Sequence, residues 1–180
     1  MDISERRIDG ETVYSGVIVN VTMDRAELCD GRIVRREVVH HPGGVAVLPI
    51  DGEGYCCCVR QYRYPFQKLL LEVPAGKLEY GEEPRGCAER ELSEETGLNA
   101  EELVYLGPTL SSPGISTEVL HIYLALGLSQ GASHPDEGEF VSVEKYHIDE
   151  LVRMVMSGEI EDGKTVIAVL KAKHYLETLK

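Results

Sequence analysis

The stretch "GKLEYGEEPRGCAERELSEETGL", residues 76–98, carries seven acidic side chains against three basic ones. Pro84 suits the first turn of a helix, Gly97 suits a left-handed stop, and good helix formers lie between them, so the spacing predicts a helix over about 84–96. At roughly 100° per residue, Ala88 and Leu92 share one face, while Glu91, Glu94 and Glu95 cluster beside it across an arc of about 100°. A Glu-rich helix with no further feature reads as a solvated charged face. Here, however, Glu91 and Glu95 are like charges at i and i+4, a few tenths of a kcal/mol unfavourable in an isolated helix. No lysine lies within the helix to offset them. An oxygen-rich strip of this kind suits a hard divalent ion, Mg²⁺ or Mn²⁺, which keeps several waters and is completed by substrate phosphate.

Working outward, a chain of 180 residues that is 43% hydrophobic can bury one main core. Its formal net charge of -13 opposes attraction to nucleic acid or anionic lipid, so neither is expected as a partner. No stretch reaches the roughly 18 apolar residues of a membrane span, and "MDISERRIDGETVYSG" lacks the apolar core of a secretory signal. A cytoplasmic location is the expectation. The five cysteines, Cys29, Cys56, Cys57, Cys58 and Cys87, include no C-x-x-C pair. Strand alternation sends neighbours in "YCCCVRQYR" to opposite faces, so free, packed thiols are expected.

Alternating and β-branched segments fill the first forty residues, "TVYSGVIVNVTMDRAEL" and "GRIVRREVVHH", joined by the turn-prone "CDG", which predicts a small antiparallel sheet. "PGGVAVLPI" and "YCCCVRQYRYP" flank "DGEG" and predict a hairpin. "KLLLEVPAG" reads as a short buried strand, and "LVYLGPTL", "VLHIYLALGL" and "FVSVEKY" as further strands. The tail changes to helical period in "IDELVRMVMSG" and "DGKTVIAVLKAKHYLETLK". The order predicts an α/β (α+β) architecture: a mixed β-sheet sandwiched between helices, with a small N-terminal antiparallel β-sheet appendage. The expected division is an N-terminal subdomain over 1–41 and the main domain over 42–180.

Residues 76–98 match every fixed position of the Nudix box, with Gly76, Glu82, Arg90, Glu91, Leu92, Glu94, Glu95, Gly97 and Leu98 in place. With residue frequencies of roughly 7%, seven fixed identities coincide at a given start on the order of once in 10⁸. The chain therefore resembles the Nudix hydrolases. The resemblance implies the Nudix fold and metal-dependent hydrolysis of a nucleoside diphosphate linked to another group. It implies Glu91 and Glu95 as metal ligands, Glu94 as a ligand directly or through water, and the Ala75 carbonyl as a further ligand. Arg90 and Glu82 would then orient the cluster through an internal salt bridge, with Gly76 and Gly97 as backbone devices.

The flank "RQYRYPFQKLLLEVPAGKLEYGE" is similar to the ADP-ribose pyrophosphatase branch of that family, and Pro113 lies 15 residues past Leu98, where the branch carries a proline. The similarity spans from about Val13 to Ile167. It implies Arg63 as a phosphate-binding arginine, suited by its planar fork, and Glu118 as the glutamate that meets the terminal ribose or supports the site. It also implies a homodimer formed through the N-terminal sheet, with Arg35 or Arg36 stacking near adenine from the partner subunit. The branch places its water-activating glutamate on a loop where this chain has "HPDEGEF". Glu137 is the candidate general base and Glu139 the candidate metal-assisting ligand, with the reverse assignment open and Asp136 a third choice. The implied reaction converts ADP-ribose to AMP and ribose 5-phosphate. The rivals are hydrolysis of another nucleoside diphosphate sugar, GDP-mannose or ADP-glucose, and a non-catalytic Nudix-fold sensor.

Overall fold

The computed structural model describes residues 2–131 and 140–178. The chain forms two compact units, Met1–Gly43 with Leu110–Val119, and Gly44–Thr109 with Leu120–Lys180.

In the first unit, β1 (Arg6–Ser15), β2 (Asn20–Glu27) and β3 (Ile33–His40) form an antiparallel sheet in that order. The segment "TVYSGVIVNVTMDRAEL" is divided by a turn in which Gly16 N–H donates to the Val19 carbonyl at 2.9 Å. The reversal at "CDG" places Gly31 at φ 83, where an L side chain is strained. Asp24 is buried on this sheet, and Arg7 Nε donates to it at 2.7 Å. Val13, Tyr14, Val17, Ile18 and Ile33 are exposed. The segment 110–119 is tied to β3: Val39 N–H donates to the Ile115 carbonyl at 2.8 Å and Thr117 N–H to the Val39 carbonyl at 3.0 Å.

The second unit holds two sheets, one ordered β10-β5-β6 and one ordered β7-β4-β9-β8. The strands are β4 (Gly44–Pro49), β5 (Tyr55–Arg63), β6 (Lys68–Glu72), β7 (Ala75–Lys77), β8 (Leu98–Leu110), β9 (Val119–Gln130) and β10 (Val141–His147). The helices are α1 (Pro84–Thr96), α2 (Ile148–Ser157) and α3 (Gly163–Thr178). The four-stranded sheet is mixed, because β4 pairs antiparallel with β7 and parallel with β9. Every residue of β4 is buried. Val45 and Val47 face Cys87, Ala88 and Leu92 of α1, while Ala46 and Leu48 face Leu151 of α2 and Ala168 and Val169 of α3. A strand covered on both faces reads as an unbroken apolar run, as "GVAVLP" does.

The predicted hairpin over 42–65 is only half realised. Its reversal forms, with Asp51 N–H donating to the Tyr55 carbonyl at 3.0 Å, but only an isolated bridge, Ile50 to Cys56, joins the arms. β4 then has both edges occupied, by β7 and β9, so β5 pairs elsewhere, with β10 and β6. Cys56 and Cys58 enter the core against α2 and α3, and all five cysteines are free. Among the described residues, no helix is long and apolar enough to cross a membrane, a statement that does not extend to strands.

Candidate active site

The acidic helix starts at Pro84 and ends in a left-handed Gly97 at φ 69, whose N–H donates to the Ser93 carbonyl at 2.8 Å. Its inward face is not purely apolar: Glu91 and Glu95 are buried with Cys87, Ala88 and Leu92, and Glu94 is half-buried. Glu95 Oε2 accepts from the Ala75 amide of β7 at 3.1 Å. Glu91 lies against Gly76, where a Cβ would come within 1.8 Å of Glu91 Oε1. Gly76 is thus a matter of space for a carboxylate, and Gly97 is the position that requires left-handed backbone.

Arg90 resolves the crowding of like charge from inside the helix. Its Nη1 donates to Glu91 Oε1 at 2.8 Å and to Glu94 Oε2 at 2.9 Å, and its Nε donates to Glu82 Oε1 at 3.0 Å. Its Nη2 reaches Glu82 Oε2 at 3.1 Å, the Lys77 carbonyl at 3.3 Å and Cys87 Sγ at 3.3 Å. One guanidinium therefore ties Glu82 of the loop before α1 to two carboxylates of the helix, Glu91 and Glu94. The hydrogen bond from Arg90 pulls the Glu82 carboxyl down to about 2, while burial pushes the Cys87 thiol up to about 12, so that it stays protonated and inert.

The Glu82 shift has a pH consequence. A depressed carboxyl contributes stability that is fully present above its unfolded value of 4.5 and is lost as pH falls toward about 2. Thermal unfolding followed from about pH 5 to about pH 2 should show Glu82→Gln losing less Tm than the native chain across that window. Parallel slopes would rule out the contribution.

Three carboxylates on one strip, one of them held by the Ala75 amide, form a hard oxygen set, which fits Mg²⁺ or Mn²⁺. Among the described residues no group of three or more His, Cys, Asp or Glu side chains is already gathered into a cage. Glu91 Oε1 and Glu94 Oε2 each accept from Arg90 Nη1, so an ion taken up on this strip would share those two carboxylates with the arginine.

Arg63 ends β5 and forms a bidentate pair with Glu72 of β6, Nε to Oε1 at 2.7 Å and Nη2 to Oε2 at 2.6 Å. In the N-terminal unit, Arg36 pairs with Glu5 at 2.8 Å and Arg35 stands opposite Arg25, both arginines being exposed. Pro113 lies in the exposed loop tied to Val39. Glu118 accepts from Ser111 and lies 3.4 Å from His41 Nδ1. Asp136, Glu137 and Glu139 lie outside the described residues. A concavity of about 330 Å³, lined by Phe66, Lys68, Leu70, Glu161, Asp162 and Gly163, includes none of the box carboxylates.

Two residues of the second unit escaped sequence reasoning. Glu72 is 1% exposed and takes Lys164 of α3 as well as Arg63. Burial pushes its carboxyl up, but the two cations outweigh this and hold it below the usual range. A glutamate inside the apolar run "KLLLEVP" was the available signal for Glu72; nothing local marked Lys164.

A mixed sheet between helices, with a box of acids at the edge formed by β7 and α1, defines a Nudix-type hydrolase scaffold. A family model described as the NUDIX domain matches residues 40–169, and the chain belongs to the Nudix family. It is 44% identical over 167 residues to the methanol dehydrogenase activator of Bacillus methanolicus, covering 92% of this chain and 90% of that protein. It is 39% identical over 182 residues to the ADP-ribose pyrophosphatase of Bacillus subtilis strain 168, covering 99% and 98%. A solved structure described as an ADP compounds hydrolase shares the fold, with TM-score 0.87 at 19% identity over 99% of this chain and 98% of that one.

Proposed function

We propose that this chain hydrolyses the diphosphate linkage of ADP-ribose, adding water across the bridge to release AMP and ribose 5-phosphate. The carrying observation is the full-length similarity to a pyrophosphatase of that substrate, in a chain that retains every box carboxylate. A bound divalent cation, Mg²⁺ with Mn²⁺ as the alternative, supplies charge neutralisation on the diphosphate and a more acidic water. Glu91, Glu95, the Ala75 carbonyl and Glu94 hold it, assisted by Glu139. Arg90 and Glu82 keep the box loop against the helix. Arg63 takes the diphosphate, Glu118 meets the terminal ribose or supports the site, Pro113 belongs to the substrate-binding loop, and Glu137 removes the proton from water, with the reverse assignment of Glu137 and Glu139 retained as the alternative.

The test is a panel of ADP-ribose, ADP-glucose and GDP-mannose with Mg²⁺ or Mn²⁺, run without any dehydrogenase so that turnover reports this chain alone. AMP release from ADP-ribose with the highest kcat/KM is expected; preference for another sugar overturns the substrate, and no turnover of any overturns the enzyme. Glu137→Gln and Glu139→Gln belong in the same assay, and the variant that loses more kcat with metal affinity intact carries the base.

We further propose a cytoplasmic homodimer formed through the N-terminal sheet, which brings Arg35 or Arg36 of one protomer to the adenine bound by its partner. Its support is the exposure of Val13, Tyr14 and Ile33 on one small sheet and of Val17 and Ile18 in its β1–β2 turn. Light scattering should give about 40 kDa, twice the 19.9 kDa chain. A mass near one chain at micromolar concentration overturns the dimer.

A further inference from the structure

Arg63 presents a difficulty for its own proposed role. The fork that suits a diphosphate is occupied, since Nε and Nη2 both bond the Glu72 carboxylate, at 2.7 and 2.6 Å. Releasing it would strand a carboxylate that is 1% exposed, and an unpaired buried charge is strongly unfavourable. Lys164 changes this. Its Nζ bonds the same Glu72 oxygen, Oε2, that Arg63 Nη2 uses, and it is itself held by Asp162 Oδ1 at 3.1 Å. Asp162 is fixed in turn, its Oδ2 accepting from Thr165 Oγ1 at 2.6 Å and from the Thr165 amide at 3.0 Å. Thr165 Oγ1 then accepts from the Val73 amide beside Glu72 at 2.9 Å.

The two cations are not equivalent. The Lys164 side chain is 11% exposed and locked between Glu72 and Asp162, whereas Arg63 is 37% exposed and within electrostatic reach of Glu95 in the acidic helix. We infer that Lys164 is a positioning residue: it keeps Glu72 paired, so that Arg63 can leave that carboxylate and receive the diphosphate. This rests on the reading of Arg63 as a diphosphate ligand. With Lys164 absent, Arg63 is the cation left on Glu72 among the described residues, and Glu72 holds it more tightly. The fraction of molecules with Arg63 available falls, and apparent affinity falls by the same fraction.

The experiment is calorimetric titration of ADP-ribose without metal, where binding is read apart from turnover, with Tm recorded for every variant. Arg63→Ala should weaken Kd by about tenfold, the scale of one charge-assisted hydrogen bond. Lys164→Met should weaken it by up to about tenfold, and adding Glu72→Gln to Lys164→Met should restore Kd to within about twofold, since a neutral amide no longer retains the guanidinium. Arg63→Ala with Lys164→Met should bind no worse than Arg63→Ala alone. A purely structural Lys164 would lower Tm and the number of binding-competent molecules while leaving the Kd of those molecules unchanged, and that result overturns the inference. Unchanged affinity in Arg63→Ala overturns the diphosphate role beneath it. Weakening in Arg63→Ala with native affinity in Lys164→Met overturns the Lys164 role alone.

Discussion

Glu95→Gln is expected to remove at least about a hundredfold of the metal-dependent turnover of ADP-ribose, the upper end of what losing a mere supporting partner of a metal ligand costs, while the fold persists. Glutamine matches glutamate in size, and its amide oxygen can still accept the Ala75 N–H that Glu95 Oε2 accepts at 3.1 Å. The change removes one of two like charges at i and i+4, so the isolated helix gains a few tenths of a kcal/mol. Lower activity with equal or slightly higher Tm is the signature of a carboxylate kept for an ion rather than for stability. Undiminished kcat in this variant would end Glu95's assignment as a ligand.

Gly76→Ala should separate site from fold in the same sense. The added methyl would meet Glu91 Oε1 at 1.8 Å and its carboxyl carbon at 2.0 Å, so the carboxylate must swing away. Because the obstructing atoms end a flexible side chain, the fold should lose no more than about 1–3 kcal/mol, the usual range for overpacking. Turnover should drop by about a hundredfold or more, since a ligating carboxylate displaced by an ångström loses its alignment. Gly44→Ala is the contrast. There the new Cβ would meet the Gly76 backbone carbonyl at 2.6 Å, in the β4–β7 pairing itself, and the larger penalty should appear in Tm. Equal activity in Gly76→Ala and the native chain would show that Glu91 has no positional role.

Helix α1 was legible to the residue, because proline and glycine act on φ through the local backbone and need no partner. The strip of Glu91, Glu94 and Glu95 was equally legible, since helical period alone places them together. The predicted pairing of β4 with β5 was not, because an apolar run records burial and not which neighbour occupies each edge. The joining of Leu110–Val119 to the N-terminal strands likewise depends on hydrogen bonds to Val39, more than seventy residues away in the chain.

By itself, then, the order of residues determined the family, the acidic helix and the chemistry its carboxylates suit, all of which follow from local backbone preference and fixed spacing. Only the tertiary structure decided how those charges are shared. It placed Arg90 among Glu82, Glu91 and Glu94, and it brought Lys164 to Glu72 across 92 positions of sequence. Electrostatic partnership depends on distance in space and on exclusion of water, and neither is written in the separation of two residues along a chain.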